Sequence, residues 1–178
     1  MKHIRYIRII AAIVCTVALV SVLGGCAASR TDTSQLSVGG SQASSTDQQA
    51  SQNRQYMAQL NQQMSDLQTT ADGFQKAIAA KDTVSMNASV ADVQKIIDSV
   101  KNTDSTERLS TVKDEYVDGL CTLDDAMKAY VSLYTDAQNG IVDSATFASR
   151  LQSVQAAYDN GIAKLKVADG EVQKIASE

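Results

Sequence analysis

The chain has 178 residues, 44% of them hydrophobic, with 16 Lys and Arg against 20 Asp and Glu, giving a formal charge of −4 at neutral pH. That balance argues against nucleic-acid binding, because neutralising phosphates takes clustered Lys and Arg. The single His is His3, and there is no Pro and no Trp; beyond His3 this rules out Ser-His-Asp triads, Cys-His nucleophile pairs, His-bearing zinc sites and the Glu-x-x-His di-iron motif.

The chain opens with three fixed positive charges, Lys2, Arg5 and Arg8, and no acid. Ile9 to Leu23 is then apolar, interrupted only by Thr16 and Ser21. A membrane-spanning helix needs about 20 apolar residues. A shorter core behind a positive flank has the proportions of an export signal. It closes on small residues before a cysteine, Leu23-Gly24-Gly25-Cys26. This stretch resembles the lipobox of bacterial lipoproteins. The resemblance covers residues 1–26 and implies a signal peptide over 1–25, with Leu23, Gly24 and Gly25 as the signal-cleavage motif. It also implies a diacylglyceryl group on the Cys26 thiol. Two acyl chains anchor stably where one does so marginally. The expected address is the outer face of the cell membrane, or a periplasm-facing position if the cell has an outer membrane. Cys15 follows bulky Ile13-Val14 and lacks the small neighbours that cleavage needs. Removing residues 1–25 takes away three cations and no acid, so the charge moves to −7. The covalent lipid, not charge, would hold the protein to its membrane.

Residues 26–52 read as a disordered tether. From Ala27 to Gln52, 15 of 26 residues are Ser, Thr or Gln, and Leu36 and Val38 are the only large aliphatics. Such a stretch buries too little apolar surface to offset the entropy of ordering.

Residues 53–178 read as an all-α domain, an antiparallel up-down bundle of three to four long helices. The first helix, about 54–81, carries a heptad seam of Met57, Leu60, Met64, Leu67, Ala71, Phe74 and Ile78. The seam is thin enough to leave self-association open. Asp82 is placed to cap the second helix, whose seam is Met86, Val90, Val93, Ile97 and Val100. Asp104 with Glu107 suggests a capping box for the third. That helix carries Leu109, Val112, Tyr116, Leu120, Leu123, Met127, Tyr130, Tyr134 and Ala137, and Asp118-Gly119 is a candidate break in it. Asn139-Gly140 is a stop signal and Asp143 an N-cap for the fourth helix. The fourth helix carries Phe147, Leu151, Val154, Tyr158, Leu165, Ala168, Val172 and Ile175.

The second helix is much the shortest. If the third starts level with its end, the hairpin of the third and fourth should overhang by roughly 20 Å. The overhang would expose Tyr130, Val131, Tyr134, Ile141, Val142 and Phe147 as a partner-binding tip, since aromatic residues are favoured at interfaces. The packed alternative buries them between the two helices. Asp114, Asp118 and Asp125, with Glu115 and Asp124 beside them, form an acidic stripe that reads as a solvated face, because calcium takes six to eight oxygens. Cys121 reads as a small buried apolar residue.

The expected function is a non-catalytic binding or scaffolding module, with no metal and no cofactor. Its expected partners are the membrane, through Cys26, and an envelope protein or ligand. The alternative is a small-ligand receptor with an inter-helix pocket lined by Met57, Met64, Met86 and Met127. An enzyme is not expected: beyond His3, acid–base work would fall to carboxylates at positions that read as exposed.

Overall fold

Over residues 45–177, which the computed structural model describes, the chain forms four helices: α1 (Ser45–Ala80), α2 (Thr83–Asn102), α3 (Glu107–Gln138) and α4 (Ser144–Ser177). The fold is an all-α, up-down bundle, with no strand among the described residues.

Helix α1 begins seven residues before the expected end of the tether at Gln52. Gln and Ala are good helix formers, and extending a helix that tertiary packing has nucleated costs little. Its buried stripe also differs from the expected heptad. Tyr56, Leu60, Gln63, Leu67, Ala71, Phe74 and Ala77 are buried, whereas Met57, Met64 and Ile78 are only partly covered. A helix with neighbours on two sides buries a face wider than a coiled-coil seam.

Both hairpins close with the same backbone device. At the end of α1 the Asp82 amide donates to the Ala77 carbonyl at 2.9 Å and the Lys81 amide to that of Ile78 at 3.1 Å. At the end of α3, Ile141 N–H reaches Asp136 O at 2.9 Å and Gly140 N–H reaches Ala137 O at 3.2 Å. This closure needs a left-handed residue. Gly140 supplies it at φ 70°, but Lys81 sits at φ 58° with a Cβ that disfavours the conformation. Lys81→Gly is therefore expected to stabilise the fold by about 1 kcal/mol, less the extra entropy glycine adds to the unfolded chain. Paired urea unfolding curves of the two proteins check it.

Asp82 caps α2 as expected, accepting from the amides of Val84 at 3.0 Å and Ser85 at 3.1 Å. Hydrogen bonds from the Ser85 hydroxyl and amide hold its carboxyl below the usual range. Asp143 does the same for α4, accepting from Thr146 N–H at 2.8 Å. The expected capping box of Asp104 and Glu107 does not form. The N-cap is Thr106, and its hydroxyl turns away from its own helix to donate to Asn53 Oδ1 on α1.

Helix α3 runs unbroken through Gly119, because α4 packs there at close range. A Cβ on Gly119 would lie 2.9 Å from Leu165 Cδ2 and 3.1 Å from Leu165 N. One on Gly161 would lie 3.0 Å from Leu123 N. The two glycines, one on each helix, let the backbones approach at successive levels. Arg108 to Ile175 O, Tyr116 to Asp169, Lys164 to Asp118 and Arg150 to Asp136 complete the antiparallel register from one end of the pair to the other.

Candidate functional site

The expected overhang of α3 and α4 is absent. Phe74 on α1 meets Tyr130 on α3 edge to face, ring centres 5.8 Å apart. From that level α1 runs six more residues and α3 eight, so the two ends differ by roughly 3 Å. The candidate tip residues are correspondingly covered. Val131, Tyr134 and Phe147 are buried, and Tyr130 and Val142 are partly buried. Leu133, Phe147 and Leu151 form a small core of their own, flanked by Tyr130, Ala137 and Val142. Ile141 alone of the six is exposed, at 69%. The packed alternative is the one the fold adopts.

The missing length of α2 appears instead at the other end. Gln63 on α1 donates to Ser99 Oγ at 2.7 Å and Thr103 Oγ1 at 3.4 Å, which fixes the level at which α2 ends. Thr106, at the start of α3, is level with Asn53, ten residues and roughly 15 Å further along α1. The chain crosses this offset with Thr103 and Thr106 both in extended conformation. Lys113 pins the crossing by donating to Thr103 O at 2.8 Å. Where α2 stops short, α1 continues, and a notch opens between α1, the end of α2 and the crossing.

The notch is an open groove of about 700 Å³. Gln52, Gln55, Tyr56 and Gln59 line it from α1, Ser99 and Asn102 from α2, and residues 103–106 from the crossing. Asp104 is the single charged residue among the lining residues and Tyr56 the single aromatic one. Tyr56 is itself buried, and its hydroxyl has no protein partner. Two turns along α1, Gln63 donates through its amide nitrogen while its Oε1 stays buried without a protein partner. The methionines expected to line a pocket between helices are, among the described residues, part of the packed core. Met86 and Met127 are fully buried, and Met57 and Met64 pack against the same core.

Burial raises the Tyr56 hydroxyl to about 12, with the Asp114 carboxylate adding to the shift. Burial lifts Tyr130 to about 12 as well, and raises Tyr116, which donates to Asp169. A phenol whose pKa is higher folded than unfolded stabilises the fold below the unfolded value, and that contribution fades as pH climbs through the folded one. Stability should hold up to pH 10 and fall between pH 10 and 12. Chemical denaturation at stepped pH, followed alongside tyrosinate absorbance, measures this.

The acidic stripe is mostly solvated. Asp114, Asp118 and Asp125 are exposed, and Asp118 pairs with Lys164 at 2.7 Å. Asp124 departs from the expectation, being only 3% exposed. Its Oδ2 accepts from Lys128 at 2.6 Å and holds that ammonium above its usual range, while Oδ1 is buried without a protein partner. Among the described residues no group of three or more His, Cys, Asp or Glu side chains is placed to hold a metal. Cys121 is half-buried against the main core rather than fully enclosed. Leu23, Gly24, Gly25 and Cys26 lie outside the described residues. Within those residues no helix is long and apolar enough to cross a membrane. Compared with known protein families, with curated proteins and with solved structures, the chain finds no match in any of the three.

Proposed function

We propose that the chain is a lipid-anchored cell-envelope lipoprotein whose four-helix bundle is a non-catalytic binding module. The observation that carries this reading is the sequence Leu23-Gly24-Gly25-Cys26 at the end of a fifteen-residue apolar run behind Lys2, Arg5 and Arg8. Cleavage before Cys26 and diacylation of its thiol attach the protein without a membrane-spanning helix. The binding surface is the notch at the α1 end of the bundle, in place of the tip. It is concave and polar, whereas the apolar groups at the tip, Ile141 apart, are consumed in packing. The notch, at about 700 Å³, has the volume of a small-molecule site, which supports ligand binding as the module's role.

The test is mass spectrometry of protein isolated from cells. The expected species starts at Cys26 and carries a diacylglyceryl adduct there. Cys26→Ser should retain the leader, carry no lipid and lose membrane association, since thioether formation needs the thiol. Full-length unlipidated wild-type protein would refute the proposed anchoring.

A further inference from the structure

The chemistry of the notch narrows what it can hold, and the inference rests on the notch being the binding surface. An anionic ligand finds no cation among its lining residues and one opposing carboxylate, Asp104. An apolar ligand finds one aromatic residue, Tyr56, already 2% exposed and so with little face to offer. Calcium would find a single carboxylate where it normally takes several. What the notch does offer is neutral and two-sided. Gln52, Gln55 and Gln59 recur at spacings of three and four along one face of α1, a polar edge roughly 10 Å long. Asn102 and Ser99 line it from α2. A side-chain amide presents an acceptor oxygen and a two-proton donor nitrogen in one plane. That pair matches two neighbouring hydroxyls, or a hydroxyl beside an acetamido group.

Buried polar atoms add support. Tyr56, which lines the notch, has a buried hydroxyl with no protein partner, and two turns away, outside the lining, the buried Gln63 Oε1 has none either. Leaving such a group unsatisfied carries a desolvation penalty that a hydrogen-bonding ligand, or water held beneath it, removes. Both belong to side chains at least nine-tenths buried, and Gln63 bonds directly to Ser99 and Thr103 of the lining.

We propose that the notch between the N-terminal half of α1 and the 103–106 crossing is a binding site for a neutral, hydroxyl-rich saccharide. Free oligosaccharide and the exposed end of a polymeric glycan present the same chemistry.

The test uses the full chain in a polyoxyethylene detergent, because sugar-headed detergents would compete. Isothermal titration is run with the trimer of N-acetylglucosamine and with maltotriose, each to about 10 mM, tenfold above a millimolar site. In parallel, insoluble chitin beads are offered as the polymeric source. At least one saccharide is expected to bind. Gln55→Leu/Asn102→Leu, both changes at exposed positions, should weaken it at least tenfold while leaving the unfolding midpoint unchanged. Binding to the trimer alone assigns a soluble ligand; capture on beads, released by the trimer, assigns a glycan chain. No saccharide binding, or equal binding by the double variant, overturns the proposal. So does full displacement by an uncharged oligoserine peptide, which would make the site one for polypeptide. Each of these results leaves the state of Cys26 untouched, so the anchoring and the ligand are judged separately.

Discussion

Gly161→Leu is expected to cost the bundle at least about 3 kcal/mol, at the upper end of overpacking penalties. The reason is what the new side chain would meet. Already at Cβ the nearest atoms are the N and Cα of Leu123, at 3.0 and 3.2 Å, and backbone cannot rotate out of the way as a side-chain tip can. Helices α3 and α4 must move apart, and that loosens Gly119 against Leu165 in the same motion. Gly161→Ala should cost less, because better helix propensity offsets part of the clash. Gly170→Ala is the control. Nothing lies within 4 Å of its added methyl, so the same substitution two and a half turns away is expected to stabilise by up to about 1 kcal/mol. Urea unfolding of the three variants reads out the ranking. A Gly161→Leu protein as stable as wild type would show that the close approach is not needed.

The second large effect separates packing from recognition at the α3–α4 turn. Phe147→Ser should destabilise by about 3 kcal/mol or more, since it leaves a cavity beside Leu133 and Leu151 and places a hydroxyl in it. Ile141→Ser, six residues earlier and 69% exposed, should stay within about 0.5 kcal/mol. The loss in Phe147→Ser should be partly local, because its cluster is separate from the main core around Leu120, Leu123 and Met127. Hydrogen exchange would then show the amides near the turn opening before those near Gly119. Equal losses for the two variants would mean that Phe147 contributes no packing.

What the residues announce in advance is what depends on near neighbours. Asp82 and Asp143 cap the helices they precede, Asn139-Gly140 ends α3, and the seams of α2 and α3 are buried nearly as their spacing predicts. The failures are tertiary. Tyr56 and Gln63 are core residues because α1 has neighbours on two sides, which its own heptad cannot reveal. Asp104 fails as a cap because α3 starts three residues later, with Thr106 as its N-cap in extended conformation and the Thr106 hydroxyl bonded to Asn53. The mismatch in helix lengths is legible, but which end absorbs it is not. That depends on the offset across residues 103–106, set by contacts some fifty residues apart in sequence. The notch residues Gln52, Gln55 and Gln59 look, one by one, like any solvated polar face. Asp124 likewise gives no sign of burial, sitting in the acidic stripe with Asp114, Glu115, Asp118 and Asp125.

The order in which the helices can assemble follows from how their contacts are spaced. Helices α3 and α4 are joined by five residues and touch along their whole length, starting at the turn, so they can zip up as soon as both exist. Helix α1 meets α3 only through partners such as Phe74 and Tyr130, 56 positions apart. Emerging before the other three helices, it has only α2 to lean on until α3 and α4 follow. Of the four helices, the first made is thus the last to find its full complement of neighbours.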